Sequence, residues 1–228
     1  MKKTIITLLV LAGAAIADTT YDLTALWNEV KFGTEDTLTA SNNFMTWDGT
    51  NAYTNWYMEF SLTTVTATGY KATITAGPYS SNSSGLSVSA KSGVITLGKG
   101  NTDVIDSTKS LSFDTSDVLT FAFYDGKAYL GNKTDNTYIS VTPPSGLVTT
   151  MTSGTSRAWA NGATTGSTQI GATKIVNLGG LTITAGEKLD MATLMKTGVA
   201  QSVTIPEPTT ATLSLLALAG LAARRRRK

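Results

Sequence analysis

The chain of 228 residues has no cysteine and no histidine, and only 15% of its residues are charged. The lack of cysteine excludes disulfide bonds and thiol nucleophiles. The lack of histidine removes the commonest general acid–base group and most zinc sites. A serine triad would have no base, and Lys99, which lies between two glycines, lacks the spacing of a phosphate-binding loop. The absence of these residues and motifs favours a binding or structural protein over an enzyme.

Basic residues are concentrated at the two ends of the chain. The formal net charge is +2, but Lys2, Lys3 and five cations at the C-terminus are included in that value. The region between the ends, residues 18–205, has a net charge of about −4 by count. A nucleic-acid-binding protein needs a basic surface to neutralise phosphates, so no nucleic-acid partner is expected.

The first 17 residues have the pattern of a secretory signal peptide. Lys2 and Lys3 precede an apolar run from Ile5 to Ala12, and small residues follow at Ala15 and Ala17. We therefore expect residues 1–17 to direct export through the Sec machinery and cleavage to leave Asp18 as the first residue. An uncleaved N-terminal anchor is the alternative.

The last residues combine three features in a fixed order. A Pro-Glu-Pro sequence is followed by an apolar segment, Ala211–Ala223, and by a basic end; the residues concerned are Pro206, Glu207, Pro208, Arg224, Arg225, Arg226, Arg227 and Lys228. This order resembles the PEP-CTERM sorting signal of Gram-negative bacteria that carry an exosortase. The resemblance implies that residues 205–228 are a sorting signal, cut near Pro-Glu-Pro by an exosortase-type enzyme. An ordinary C-terminal membrane anchor is the alternative.

The apolar segment is short for a membrane span. About 13 residues of helix cover about 20 Å, whereas a hydrocarbon core is about 30 Å thick. The basic end is expected to stay in the cytoplasm and to place the N-terminal part outside. The sequence thus predicts transient anchoring in the inner membrane and a final location in the cell envelope, on the outer surface or outside the cell.

Between the two ends, residues 18–204 alternate apolar and polar positions as β-strands do. Such runs occur at 57–63, 70–75, 86–89, 94–97, 118–124 and 127–130. Asp125-Gly126 predicts a type I′ hairpin turn, Lys91-Ser92-Gly93 a second tight turn, and Gly179-Gly180 separates two further runs. Residues 186–196 are the best candidate for a short helix. The pattern predicts an all-β domain, a β-sandwich or jelly roll, with a low-complexity stalk as the alternative.

Three segments of this region resemble the concanavalin A-like lectin/glucanase superfamily, and LamG-type jelly rolls in particular. They are Asn55–Phe60, Gly85–Ser89 and the Tyr124-Asp125-Gly126 turn. The resemblance implies a jelly-roll sandwich, and it implies glycan binding or glycoside hydrolysis as activities of related domains.

The carboxylate pattern argues against hydrolysis. Glucanases of this superfamily place catalytic carboxylates on one strand as Glu-x-Asp-x-x-Glu, and that pattern is absent here. Glu187 and Asp190 fall in a turn or helix, the adjacent Glu35 and Asp36 would face opposite sides of a strand, and Glu59 is alone. We interpret these residues as solvated surface charges and predict no enzyme activity.

Aromatic residues beside acid and amide side chains are the candidates for glycan binding. Such residues occur at Trp47, Asp48 and Asn51, and again at Trp159 and Asn161. Sugars are bound by aromatic faces and by Asp or Asn hydrogen bonds. The alternative is that the tryptophans are core residues, which is the expectation for Trp27 and Trp56.

Hard oxygen ligands for Ca²⁺ are a further hypothesis, because LamG-type modules often bind one ion. Asp125, Asn132 and Asp135, together with Asn136, follow one another near one hairpin. Short polar residues also favour turns for reasons of their own, which is the alternative.

These features together predict an exported envelope protein, processed by an exosortase, with a structural or adhesive jelly-roll domain that contacts polysaccharide. A LamG-like glycan-binding module and an unrecognised glycoside hydrolase remain as alternatives.

Overall fold

The computed structural model describes residues 19–32, 37–38, 43–47, 52–62, 71–77, 85–100, 103–161 and 168–205. The strands, in chain order, are β1 (Thr20–Tyr21), β2 (Asn28–Glu29), β3 (Lys31–Phe32), β4 (Thr37–Leu38), β5 (Asn43–Thr46), β6 (Ala52–Tyr53), β7 (Trp56–Leu62), β8 (Lys71–Thr75), β9 (Leu86–Lys91), β10 (Val94–Lys99), β11 (Asp103–Val104), β12 (Leu111–Ser112), β13 (Leu119–Tyr124), β14 (Lys127–Asn132), β15 (Thr137–Val141), β16 (Met151–Thr152), β17 (Arg157–Asn161), β18 (Thr168–Asn177), β19 (Glu187–Leu189) and β20 (Ala200–Thr204). The helix α1 is Met191–Thr197, and 3₁₀ turns occupy Thr24–Leu26 and Leu178–Gly180.

Two antiparallel sheets form the body of the domain. The eight-stranded sheet has the order β11-β10-β9-β8-β17-β5-β3, with β12 beside β10. The seven-stranded sheet has the order β15-β14-β13-β7-β18-β2, with β4 beside β18. The chain passes repeatedly from one sheet to the other, as it does in jelly rolls. The prediction of an all-β jelly-roll sandwich is confirmed.

The main core lies between the two sheets, where apolar side chains from alternate positions of facing strands meet. Trp56 and Phe121, both fully buried, pack edge to face with ring centroids 4.7 Å apart. The indole N–H of Trp56 donates to the carbonyl of Thr149 at 2.8 Å. Such an aromatic pair contributes about 1 kcal/mol beyond the area it buries. The expectation that Trp56 is a core residue is confirmed.

A third layer covers the outer face of the seven-stranded sheet. It consists of α1 and of a small sheet with the order β1-β20-β19, which we call the cap. A second apolar cluster, including Tyr57, Val176, Leu194 and Met195, fills the space between cap and sheet. The central strand β7 is therefore buried on both faces, although its alternating sequence predicts burial on one face only. Trp27 is half-buried and packs against this second cluster.

The predicted helix over 186–196 is corrected at its start. Residues Glu187–Leu189 pair with β20 as a strand, and α1 begins only after Asp190. The carboxylate of Asp190 accepts the backbone N–H groups of Ala192 and Thr193, which is the interaction that begins a helix. Gly198, with φ of 76°, ends it.

The helix lies very close to the sheet at one point. The hydroxyl of Thr120 donates to the carbonyl of Met195 at 2.9 Å. A Cβ at Gly131 would stand 2.5 Å from the same oxygen, so the position requires glycine for this approach.

The second of the two runs that Gly179-Gly180 separates does not form a strand. Residues 178–180 form a 3₁₀ turn, which begins with the side chain of Asn177 accepting the N–H of Gly179 at 3.0 Å. Strand β18 already has β7 on one side and β2 on the other, so no edge is free for a returning strand. The following residues Leu181 and Ile183 pack against the cap cluster instead.

Candidate ligand-binding site

The β13–β14 hairpin places two tyrosines on the outer face of the seven-stranded sheet. Asp125 and Gly126 form its turn with φ of 48° and 74°, which confirms the predicted type I′ geometry. The register pairs Ala122 with Tyr129 and Tyr124 with Lys127. Tyr124 and Tyr129 therefore project from the same face as diagonal neighbours, within reach of each other.

A third tyrosine and the cap complete a pocket at this edge of the sheet. Tyr138 on β15 lies opposite Gly131 and remains 37% exposed. The pocket has a volume of about 300 Å³. Besides the three tyrosines, its lining includes Asp125, Lys127, Ser140, Lys188, Asp190 and Val203. We call it the tyrosine pocket.

Two of the phenol groups in this pocket, those of Tyr124 and Tyr129, have a raised pKa. Burial, followed by the charge of Asp125, raises the pKa of Tyr124. Burial, Asp125 and the neighbouring tyrosines raise the pKa of Tyr129 in the same direction. The neutral phenol is the form that offers both a hydrogen-bond donor and an acceptor.

Polar groups around the pocket are left without protein partners. Within the described residues, no hydrogen bond reaches the hydroxyls of Tyr124, Tyr129 and Tyr138. The charged ends of Asp125, Lys127 and Lys188 form no ion pair there. Asp190 differs, because its carboxylate caps α1 and accepts the hydroxyl of Thr193 at 2.6 Å. The pocket therefore offers aromatic faces, hydroxyls, one free carboxylate and two ammonium groups to a ligand.

The tryptophans that the sequence favours for glycan binding lie elsewhere and are buried. Trp47 is 6% exposed and Trp159 3% exposed. Trp47 belongs to the main core and packs against Tyr53 with ring centroids 5.7 Å apart. Neither indole presents a face to solvent in this structure. Asp48, Asn51 and the side chain of Asn161 lie outside the described part of the chain, so the prediction for those three is not tested.

The three residues predicted to bind Ca²⁺ do not meet in the structure. Asp125 forms the turn at one end of the hairpin, and Asn132 is at the far end of β14, about 20 Å away for six residues of strand. Asn132 and Asp135 do meet, but the Asn132 amide N–H₂ donates to the carboxylates of Asp117 and Asp135 at 2.7 and 3.0 Å. Asp125, Asn132 and Asp135 therefore do not form one Ca²⁺ site in this structure, and the prediction is corrected.

The donor set around Asn132 does not fit a calcium ion. The side-chain oxygen of Asn132 accepts the backbone N–H groups of Thr134 and Asp135 at 3.0 and 3.2 Å. These contacts fix the amide so that its nitrogen, not its oxygen, faces the two carboxylates. Over the described residues, no group of three or more acidic or other metal-binding side chains could hold a metal ion.

Glu59 is not the solvated surface charge that the sequence suggests. It is 4% exposed on the outer face of β7, beneath the end of α1. The hydroxyl of Tyr57 donates to it at 2.8 Å, and Lys133 and Lys174 lie at 2.7 and 3.1 Å. Glu187 is likewise engaged, by the hydroxyl of Ser202. Glu35 and Asp36 lie outside the described residues.

The sequence predicts the turn at the edge of the tyrosine pocket but not the pocket itself. A two-residue turn at 125–126 fixes the register of both strands, so the shared face of Tyr124 and Tyr129 could have been read from the sequence. Tyr138 could not, because its position depends on a pairing across the longer connection to β15. Lys188 and Val203 belong to elements that are distant in sequence.

Comparison with known proteins identifies the C-terminal segment. The family model described as "PEP-CTERM protein-sorting motif" matches residues 204–228. This match confirms the resemblance of the tail, and the motif indicates an exported protein targeted to the cell envelope. The residues of the motif from Pro206 onward, and the N-terminal Ala15 and Ala17, lie outside the described part of the structure. A search of curated protein sequences finds no match.

Several solved structures are similar to the chain at low levels. The VIP36 exoplasmic/lumenal domain in its Ca²⁺-bound form has 13% identity and a TM-score of 0.42, with 78% of this chain and 90% of that chain covered. Its Ca²⁺/Man-bound form has 13% identity and a TM-score of 0.39, with 84% and 89% covered. The botulinum neurotoxin serotype D/C VPI 5993 binding domain has 11% identity and a TM-score of 0.38, with 70% and 44% covered. Identities and TM-scores this low indicate neither a shared ligand nor a shared activity.

Within the described ranges, no helix has the length and apolar character needed to cross a bilayer.

Proposed function

We propose that this chain is an exported envelope protein, sorted by an exosortase-type enzyme, whose sandwich domain binds a glycan in the tyrosine pocket. The match over residues 204–228 supports sorting, and the pattern of residues 1–17 supports export through the Sec machinery. The observation that carries the binding proposal is the group of three tyrosines around a cavity of about 300 Å³. Within the described part of the chain, no hydrogen bond engages their hydroxyls.

The chemistry of the pocket suits a sugar. Aromatic rings pack against the C–H faces of a pyranose, and rigid strands hold the rings in place before the ligand arrives. Asp125 can accept hydrogen bonds from sugar hydroxyls, while Lys127 and Lys188 can donate them. The volume is at the lower end for ligand pockets, which suits one or two sugar units of a longer chain.

The domain acts by binding and not by catalysis. Retaining glycosidases need two carboxyl groups about 5–5.5 Å apart, and inverting enzymes need about 6.5–9.5 Å. Among the described lining residues of the tyrosine pocket, Asp125 has the one carboxylate that is not engaged, since Asp190 caps α1. A single free carboxylate supports an adhesive or structural role.

The sorting proposal assigns a sequence of events to the two ends. Cleavage after Ala17 frees the N-terminus, and the apolar C-terminal segment then holds the protein in the inner membrane. An exosortase-type enzyme cuts near Pro206–Pro208 and releases the domain to the outer surface or the extracellular matrix. There the tyrosine pocket meets polysaccharide.

Binding is tested with the purified domain, residues 18–205, and a panel of neutral and acidic polysaccharides in affinity electrophoresis. Its isolated fold is first established by cooperative unfolding. Tyr138→Ala is expected to weaken binding about tenfold, because an aromatic contact of this kind contributes about 1.4 kcal/mol. Tyr124→Phe removes only a hydroxyl and is expected to weaken binding by a smaller factor. Phe44→Ala is the matched control, since Phe44 is 42% exposed on the other sheet. Failure of the whole panel, or equal loss in the control, would refute the glycan proposal.

Sorting is tested separately by the intact mass of the mature protein isolated from its native envelope. The expected product begins at Asp18 and ends near Pro206–Pro208. A product that retains residues 213–228 would show a membrane-anchored protein and would contradict processing.

A further inference from the structure

Two lysines from different layers of the fold meet in the lining of the tyrosine pocket. Lys127 lies on β14, directly after the hairpin turn, and Lys188 lies on β19 in the cap. Both residues are exposed. Over the described ranges, neither ammonium group forms a hydrogen bond or an ion pair. Both charges are therefore available to a ligand in the pocket.

A third lysine lies at the rim of the same pocket. The ammonium group of Lys196, near the end of α1, is 5.8 Å from the ring centroid of Tyr138, which is a cation–π contact. Tyr138 itself lines the pocket and is 37% exposed. Three of the ten lysines in the region 18–205 therefore lie in or beside one cavity.

The acidic residues in the lining do not balance these lysines. Asp125 has a free carboxylate, whereas the carboxylate of Asp190 accepts the N–H of Ala192 and the hydroxyl of Thr193. Three ammonium groups and two carboxylates leave one positive charge among the described residues of the pocket and its rim. The region 18–205 as a whole has a net charge of about −4. The sign of the pocket is thus opposite to that of its domain, and this favours an anionic ligand.

We infer that the tyrosine pocket binds an acidic polysaccharide, whose sugar units carry carboxylate groups. This inference deepens the proposed function and rests on it, because it requires a glycan in this pocket. The tyrosine rings contact the C–H face of a uronic acid unit. Lys127 and Lys188 pair with its carboxylate through charge-assisted hydrogen bonds, and Asp125 accepts hydrogen bonds from sugar hydroxyls. A neutral glycan would use the rings and Asp125 but not the positive charge.

The surface of an anionic membrane fits this site less well than a polysaccharide chain does. The pocket lies between the sheet and the cap, and its volume of about 300 Å³ admits one or two sugar units. An anionic bilayer would also be repelled by the rest of the domain, because the net charge of the region 18–205 is negative.

The test compares two polymers that have the same backbone and differ in charge. Isothermal titration measures the binding of the mature protein, isolated from its native envelope, to polygalacturonate and to its neutral methyl ester. We expect about tenfold tighter binding to polygalacturonate at low ionic strength. The preference should shrink between about 0.01 M and about 0.1 M salt, where the screening length falls from about 30 Å to about 10 Å.

The double variant Lys127→Gln/Lys188→Gln tests the two lysines directly. Glutamine keeps hydrogen-bond donors but has no charge. We expect this variant to bind polygalacturonate about tenfold more weakly than the native protein and to lose the preference for the acidic polymer. Lys31→Gln/Lys91→Gln is the charge-matched control, because both lysines are exposed on the eight-stranded sheet. The control should keep the preference.

Four outcomes would overturn the inference. They are equal affinity of the native protein for the two polymers, an unchanged preference in the double variant, an equal loss in the control, and tighter binding to phosphatidylglycerol vesicles than to polygalacturonate. Thermal unfolding of each variant verifies that it is folded.

Tyr138→Ala separates this inference from the proposed function. The variant is expected to bind both polymers more weakly, because the ring contacts a sugar whether or not the sugar is charged. If the native protein binds both polymers equally and Tyr138→Ala weakens both, the pocket binds glycans without selecting acidic ones, and only the inference fails. If neither polymer binds the native protein, the inference and the proposed function both fail.

Discussion

The ammonium group of Lys133 lies 2.7 Å from the carboxylate of Glu59, in the layer between the seven-stranded sheet and the end of α1. Lys174 approaches the other carboxylate oxygen at 3.1 Å, and the hydroxyl of Tyr57 donates at 2.8 Å. A buried charge is tolerated only when it is paired and hydrogen-bonded, and Glu59 meets both conditions. Glu59 thereby connects its own strand β7 to β18 and to the residue that follows β14.

Replacing Glu59 by Gln is expected to destabilise the domain by about 3 kcal/mol, because a neutral amide cannot compensate two lysines at a largely buried site. Urea unfolding of residues 18–205, followed by tryptophan fluorescence, measures the free energy of unfolding. Asp114→Asn is the control, since Asp114 is exposed and its side chain forms no ion pair with any described residue. If Glu59→Gln lowers the free energy of unfolding by less than about 0.5 kcal/mol, the ion-pair cluster does not contribute to stability.

The same cluster predicts the pH dependence of stability. Burial alone would raise the pKa of Glu59, but the hydrogen bonds from Lys133 and Tyr57 and the charge of Lys133 outweigh it and lower the pKa. A carboxylate with a lowered pKa in the folded state contributes stability above its unfolded value of about 4.3, and that contribution is lost as the pH falls through the folded pKa. Native stability should thus fall more steeply on acidification below about pH 4.5 than that of Glu59→Gln. Parallel curves for the two proteins would contradict this assignment.

Gly198 is expected to be far less replaceable than other turn glycines. Its φ is 76°, and an added Cβ would stand 2.6 Å from Lys133 Nζ and 2.8 Å from Glu59 Oε1. Gly126 has a similar φ of 74° with nothing within 4 Å, so it isolates the cost of backbone conformation alone. We expect Gly126→Ala to cost about 1 kcal/mol and Gly198→Ala about 1–3 kcal/mol more. Equal losses in thermal unfolding would show that the lysine simply moves aside.

Local patterns in the sequence predict the hairpin turns well. They do not predict contacts between residues that are far apart in the sequence. Ser92-Gly93 and Asp125-Gly126 adopt the positive φ values that their residue types favour. Gly179-Gly180 has similar composition but forms a 3₁₀ turn, because both neighbours of β18 are taken by other parts of the chain. Glu59 shows the same limit: its burial depends on α1, which lies more than 130 residues later in the sequence.

In the candidate site, too, local sequence patterns predict one part, and packing between distant parts of the chain decides the rest. The pair Tyr124 and Tyr129 follows from one turn and one register, both local. The walls of the pocket come from β15, β19 and α1, whose arrangement is decided by packing against the second apolar cluster. Likewise, Trp47 and Trp159 precede polar loops in the sequence, and only the sandwich shows that both are buried.

Glycan binding by the tyrosine pocket is expected to be insensitive to pH between about 6 and 9. Burial and the charge of Asp125 raise the pKa of Tyr124 and of Tyr129 above the ordinary value of about 10, so both phenols keep their protons over this range. Affinity electrophoresis at several pH values measures the effect, and ultraviolet absorbance reports tyrosine ionisation in the same samples. A loss of binding that begins below pH 9 would show that other groups control the site.

Processing at the C-terminus is expected to be limited by the closeness of the folded domain to the sorting motif. The N–H of Ile205 donates to the carbonyl of Gly186 at 2.8 Å, so hydrogen-bonded backbone continues to the residue before Pro206. A processing enzyme embedded in the membrane needs an extended, accessible peptide, and β20 is held between β1 and β19. Inserting Gly-Ser-Gly-Ser after Ile205 should therefore raise the rate of processing several-fold in a pulse-chase experiment. The same insertion after Ser145, in an exposed turn, is the control and should leave the rate unchanged. Equal rates for the native chain and the Ile205 insertion would mean that the enzyme accepts the motif directly against the folded cap.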